Sequence, residues 1–293
     1  MNLSHRSYLA ILALVGLSMH GTAYAATLVL SLDGDVGVTT SGSNVTGWAD
    51  QSGVGNNAVP ANAPGYTAPT LATGVTTAPG NNPFSAIRFS GNVSPLTTQA
   101  LRVPFVAAVT QPVTIFLVGQ MIGSNNTSAA AGSDGDYFYD GAPPNPFVNS
   151  ATRLALTTAN DASGTLSMLG NQVGSFSETS ALFGGWHIYQ AVYNGGSSQF
   201  YEDNVLMTLG SPGSNTNGIT TDGLTLGARF ASNSPLNGYI ANFRVYSGPV
   251  LTAAERNAVY AELFNTYFVP EPSGLALIGF AIMGLIPMAR RRR

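Results

Sequence analysis

Ten short runs rich in apolar, β-branched and aromatic residues recur along the chain, and clusters of Gly, Pro, Asn, Asp, Ser and Thr separate them. They occupy residues 27–32, 86–89, 101–105, 113–121, 153–157, 165–169, 186–193, 199–202, 224–227 and 239–246. Runs of that length are too short for buried helices and match strands joined by turns, so the pattern predicts an all-β sandwich or jelly roll. No repeat at a fixed period divides the chain. The polar stretches 53–82 and 210–221 read as surface loops.

A single helix is expected near the end. Thr252-Ala253-Ala254-Glu255 has the spacing of a capping box, and Val259, Leu263, Phe264 and Tyr267 follow at helical intervals. Such a helix should lay one apolar face on a sheet.

Charge and sulfur narrow the chemistry. Only 9% of residues are charged, and 34 Gly and 17 Pro leave turns and neutral polar groups to carry solubility. Lysine is absent, and residues 26–268 hold six arginines against thirteen carboxylates, a formal charge of −7. That balance argues against nucleic acid as a partner, because clustered cations are needed to displace counterions from phosphate. With no cysteine, disulfides, thiolate metal sites and a cysteine nucleophile are excluded.

Both ends read as addresses. Arg6, the apolar run 8–17 and the small residues Ala23 and Ala25 form a signal peptide, cut after Ala25. At the other end Val269-Pro270-Glu271-Pro272-Ser273 precedes the apolar run 274–289 and then Arg290, Arg291, Arg292 and Arg293. Prolines keep a segment extended, an apolar run can enter a bilayer, and four arginines resist translocation. As a helix, residues 272–289 would reach about 27 Å, just short of a hydrocarbon core of about 30 Å.

These features divide the chain into a signal peptide (1–25), a folded domain (26–268) and a tail (269–293) with a transmembrane helix. The tail resembles the PEP-CTERM sorting signal of exported proteins from Gram-negative bacteria that make extracellular polysaccharide. That resemblance implies an exosortase-type enzyme as partner, a cut near Pro270-Glu271-Pro272, transient residence in the inner membrane, and a final place at the cell surface or in the matrix.

The domain carries a second resemblance. Leu224-Thr225-Leu226-Gly227, then Gly238-Tyr239-Ile240 through Val245-Tyr246, then Leu251-Thr252-Ala253-Ala254-Glu255-Arg256, are similar to the closing stretch of concanavalin A-like, LamG-type jelly rolls. Trp48-Ala49-Asp50-Gln51-Ser52-Gly53 with Asn56-Asn57-Ala58, and Trp186-His187-Ile188-Tyr189 leading to Tyr201-Glu202-Asp203-Asn204, resemble earlier segments of that group. In that group the paired strands end there in a Tyr-x-Asp-Gly turn, and Asn204 stands where the turn usually has Gly. The expected fold is therefore a concanavalin A-like (LamG-type) jelly-roll sandwich with one C-terminal α-helix, a fold that hosts lectins, adhesion modules and glycanases alike.

Few catalytic constellations are open to this domain. His187 is its only histidine, which excludes zinc sites built from several histidines, and alternation puts it on a strand beside aromatic residues, as a packed or half-exposed side chain rather than the base of a Ser-His-Asp triad. Glycoside hydrolysis needs two carboxylates flanking the bond, and laminarinase-type enzymes set them as Glu-x-Asp-x-x-Glu or a near variant. None of Glu178, Glu202, Glu255, Glu262 and Glu271 has that spacing, and Glu202 and Asp203 are expected on opposite faces of a strand.

Binding has more material. Ser133-Asp134-Gly135-Asp136-Tyr137-Phe138-Tyr139-Asp140-Gly141 gathers three carboxylates and three aromatic rings. Asp134, Asp136 and Asp140 are candidate calcium ligands and Tyr137 and Tyr139 candidate sugar platforms, against the alternative that the aspartates cap turns and the rings enter the core. Asp33-Gly34-Asp35 is a weaker candidate of the same kind, and Trp48 and Trp186 read as core residues. The sequence thus points to an exported, non-catalytic domain that binds carbohydrate or extracellular polysaccharide. A structural matrix protein without a specific ligand, and a glycoside hydrolase with an unusual carboxylate pair, remain open as alternatives.

Overall fold

A computed structural model describes residues 25–61, 65–93, 96–123, 136–141, 154–158, 165–170, 175–177, 184–208, 218–229 and 234–270. It is mostly β-sheet with one C-terminal helix. The larger sheet runs, in order, Val205–Met207, Gln199–Glu202, Trp186–Tyr193, Val113–Met121, Asn237–Ser247, Phe84–Ser90, Thr70–Val75, Asn44–Trp48 and Val38–Ser41, with Thr27–Asp33 also paired to Asn237–Ser247. The facing sheet runs Ser175–Ser177, Thr165–Gly170, Leu154–Thr158, Tyr137–Asp140, Leu224–Leu226, Leu101–Val103 and Val59–Pro60. A third small sheet, Tyr66–Thr67, Leu96–Gln99 and Asn92–Val93, holds the one parallel pair of named strands, between Tyr66–Thr67 and Leu96–Gln99.

Alternation builds two apolar layers from the larger sheet. Residues such as Leu30, Ile87, Phe89, Ile115, Leu117, Tyr189 and Phe243 point inward and meet Leu101, Val103, Phe138, Leu154, Leu156 and Leu226 of the facing sheet in one core. Phe84, Phe116, Val118, Trp186, Ile188 and Ala241 point to the other face, where Leu251, Leu263 and Tyr267 cover them. This second layer explains why Trp186–Tyr193 is buried along its whole length, since both of its faces are packed.

The helix, Ala253–Tyr267, begins as the sequence predicts. The Thr252 side chain accepts from the Glu255 N–H, and the Glu255 carboxylate accepts from the Thr252 N–H at 2.7 Å. Arg244 holds Glu262 with two N–H donors at 3.1 and 2.8 Å, tying the helix to the sheet's longest strand.

The Trp-Ala-Asp-Gln-Ser-Gly motif proves to be a loop organised by one carboxylate. Asp50 accepts the N–H groups of Ser31, Ser52, Gly55 and Asn56 and the hydroxyl of Ser52, at 2.7 to 3.1 Å. Asn56 continues the network, donating to the Val29 carbonyl and accepting from the Val106 N–H, both at 2.7 Å. Trp48 is buried and its indole N–H donates to the Asp33 carbonyl at 2.7 Å.

Between the sheets, two fully buried tyrosines share a hydrogen bond. The Tyr139 and Tyr193 hydroxyls lie 2.8 Å apart, and the Tyr193 hydroxyl donates to the Ala155 carbonyl at 2.9 Å. Burial pushes both phenols well above the ordinary tyrosine range. Tyr193→Phe is expected to cost about 1–3 kcal/mol, the usual consequence of stranding buried polar groups. A urea titration should show a lower midpoint at unchanged slope.

Two loop expectations are corrected. The stretch 53–82 contains the strands Val59–Pro60, Tyr66–Thr67 and Thr70–Val75, and the segment read as a calcium or sugar loop contains the strand Tyr137–Asp140. In Thr70–Val75 the residues are half-buried or exposed, so no apolar alternation marks the strand. Among the described residues no helix is long and apolar enough to cross a membrane. The apolar run 274–289, expected as the transmembrane sorting helix, lies outside them, as does most of the signal peptide.

Candidate functional site

The binding segment proposed from sequence is interior. Tyr137, Tyr139, Asp136 and Asp140 are all buried, so neither tyrosine ring offers a face to a sugar. Asp140 ends the strand Tyr137–Asp140 and Asp136 directly precedes it, and both residues are interior. Asp134 lies outside the described residues. Asp33-Gly34-Asp35 is a turn: Asp33 Oδ1 accepts the Asp35 N–H at 2.9 Å and Asp35 Oδ1 accepts the Ser85 N–H at 2.7 Å. A side chain at Gly34 would run into the Ser85 carbonyl, its Cβ 2.0 Å from the oxygen, so only glycine fits there.

Of the sorting and cleavage residues, Ala25 and Pro270 are described and exposed. Ala23, Glu271, Pro272 and Arg290 to Arg293 lie outside the described residues.

The ionisable groups that do converge are His187, Glu202 and Asp203. They form the one cluster among the described residues with three candidate metal-ligating side chains, their atoms within 4.8 Å of one another. His187 Nδ1 lies 3.2 Å from Glu202 Oε1 and 2.9 Å from Asp203 Oδ2. The imidazole and the Glu202 carboxylate are buried, while the Asp203 side chain is 43% exposed.

Strand pairing explains the meeting. Trp186–Tyr193 and Gln199–Glu202 are antiparallel with Tyr189 opposite Glu202, so His187 and Glu202 share the inward face at the same end of the sheet. The chain then turns through Asp203 and Asn204, at φ 48° and 67°, into Val205–Met207. A two-residue hairpin with both central residues left-handed is the type I′ geometry, which Asn and Asp tolerate, so Asn204 serves where glycine is more usual. This turn corrects the expectation that Glu202 and Asp203 face apart: Asp203 is not a strand residue. Its Oδ1 accepts the Ile188 N–H at 2.9 Å and its Oδ2 reaches the imidazole.

The base of the cluster is aromatic. The His187 ring lies 5.6 Å from Tyr189, which lies 5.4 Å from Phe138 of the facing sheet. Gly119, directly across the ladder from His187, leaves the room that Phe138 occupies. The carboxylates accept hydrogen bonds, and the imidazole can donate or accept at Nδ1 according to its tautomer. Together they can hold hydroxyl groups, relay a proton or ligate a divalent cation.

No known protein family matches this sequence, and no curated protein matches it. Solved structures resemble its fold. A sialidase from Trypanosoma rangeli aligns with 83% of this chain and 34% of its own at 13% identity, TM-score 0.51. A GH54 α-L-arabinofuranosidase aligns with 78% of this chain and 52% of its own at 13% identity, TM-score 0.54. The chain thus spans about a third of the first and about half of the second. Both are glycosidases by name, so, against the expectation of a non-catalytic domain, this β-architecture is one that enzymes also carry.

Proposed function

We propose that this protein has a carbohydrate-related function at the cell surface or in the extracellular polysaccharide matrix, centred on His187, Glu202 and Asp203. The observation that carries this reading is the convergence of two carboxylates on one imidazole at a sheet end where Asp203 is open to solvent. A half-exposed carboxylate, held rigid by the Ile188 N–H, is a bidentate acceptor for neighbouring sugar hydroxyls. The fold likeness to a sialidase and an arabinofuranosidase supports a glycan as the ligand class.

The finer assignment is a LamG-type jelly roll, supported by the two facing sheets, the capped C-terminal helix and the Asp50 and Asp203 turns at the motif positions. Export by the signal peptide and sorting through a PEP-CTERM tail complete the reading, supported by the order of proline motif, apolar run and arginine cluster.

The test uses the purified full chain on immobilised arabinan, sialylated glycans and bacterial exopolysaccharide, with retention and reducing-sugar release both measured. Retention or release that falls at least tenfold in Asp203→Ala, with the fold intact, is the expected result. Wild-type protein that neither binds nor cuts any of the three refutes it.

A further inference from the structure

The outer flank of the C-terminal helix carries three aromatic rings at intervals of four residues. Tyr260 and Phe264 are stacked at 5.8 Å with their planes 27° apart, and Phe264 and Phe268 at 5.5 Å with planes 2° apart. Phe264 is 40% exposed, while Tyr260 and Phe268 are half-buried. Phe264 is the most exposed of the three, while Tyr260 and Phe268 also pack against the outer apolar layer, so the row presents one open ring flanked by two partly open ones.

The chemistry around the ladder is selective. The three charged residues of the helix are engaged elsewhere: Glu255 closes the capping box, Arg256 donates to the Leu251 carbonyl and the Tyr201 hydroxyl, and Glu262 is held by Arg244. Asn257, Ala261 and Asn265, exposed residues near Phe264 along the helix, are uncharged. Sugar platforms need open ring faces, but here ring faces are turned toward one another. The Asp203 carboxylate is the charged group that acts on Tyr260, and the ring edges around Phe264, set among uncharged residues, suit the interface of a lipid bilayer, where amphipathic aromatic groups collect.

Chain connectivity supplies the bilayer. Phe268 ends the helix, and the apolar run begins at Gly274, six residues later. At no more than about 3.6 Å per residue, those six steps hold Phe268, the near end of the row, within about 22 Å of the point where the run enters lipid.

We propose that Tyr260, Phe264 and Phe268 form an interfacial contact with the bilayer while the tail is inserted, adding apolar grip to a span that is itself marginal in length. The inference rests on the reading of residues 272–293 as a membrane tail. The contact would set the domain against the membrane with the sorting motif, immediately after the ladder, at headgroup depth.

The full chain in phosphatidylethanolamine/phosphatidylglycerol vesicles gives the test. Phe264→Trp adds a reporter at the ladder, and Trp48 and Trp186 are buried, so the wild type supplies the baseline. Flotation reports tail insertion, and quenching by brominated lipid reports the ladder. The expected result is flotation, a blue shift and at least a twofold loss of the added emission; Phe264→Gln should in addition be stripped from vesicles by milder treatment than wild type.

Flotation with the added emission of the Phe264→Trp variant left unquenched, or quenching that follows added polysaccharide or protein concentration instead of brominated lipid, overturns the ladder and leaves the tail standing. A chain that does not float overturns both.

Discussion

Asp50→Ala should destabilise the domain by about 3 kcal/mol, with a fall in Tm on the order of 10 °C for a domain of this size. One carboxylate there serves five donors from four residues and joins the strand Thr27–Asp33 to the loop after Asn44–Trp48. Hydrogen bonds to an ionised group are worth about 1.5–3 kcal/mol each in isolation, and they overlap strongly when they share one acceptor. Asp50→Asn should lose less, because an amide keeps one accepting oxygen.

The same residue fixes the sign of an acid response. Burial opposes ionisation of Asp50, but the bonds from Ser52, Ser31 and Asn56 outweigh it and hold the carboxyl below its usual range. Its contribution is therefore complete above the unfolded value of about 3.9 and is lost as pH falls through the lower folded value. Asp33 is pushed up, chiefly by burial, and titrates with the opposite sign. Asp50→Asn leaves Asp33 untouched, so the flattening of its stability curve below about pH 4 isolates Asp50. An unchanged acid slope would show that the loop does not depend on the charge.

His187→Ala is expected to cost about 1–3 kcal/mol, because it removes a hydrogen-bonding ring from between the buried Glu202 and the Asp203 carboxylate. Adding Glu202→Gln to that variant should restore part of the loss, since a neutral amide is cheaper to bury than a carboxylate. A double-mutant cycle reads this as a coupling of more than about 1 kcal/mol. Strict additivity would mean that the two side chains are neighbours without being partners.

Much of the architecture could be read from spacing. The capping box at Thr252 and the runs at 113–121, 186–193 and 199–202 appear at the expected places, because each combines strong local propensity with a buried face. Tyr137–Asp140 was hidden for a physical reason. Its aspartates and flanking glycines look like turn chemistry, and only pairing with Leu154–Thr158 and Leu224–Leu226, distant in sequence, makes it an interior strand. Thr70–Val75 was hidden because its side chains are never deeply buried.

The cluster at His187 shows what pattern reading lacked. Glu202-Asp203 looks like two strand positions on opposite faces until the two-residue turn is recognised. Asp-Asn between Gln199–Glu202 and Val205–Met207 was the available signal for it. Counting back through the preceding pair of strands then places Glu202 opposite Tyr189 and one side chain from His187.

The helix has a mechanical consequence. It is fastened to the outer face by Leu263 and Tyr267, by the Arg244 clamp on Glu262, and by the Thr77 hydroxyl on the Tyr267 carbonyl at 2.7 Å. These attachments lie in sequence along one short rod. A pull arriving from beyond Pro270 therefore meets them one at a time, Tyr267 first, and peels the rod away. The ladder between Asn237–Ser247 and Val113–Met121 is arranged in parallel, many bonds resisting together. Load from the C-terminal side is thus spent on a detachable strap, which can yield and reseat while the two sheets keep their shape.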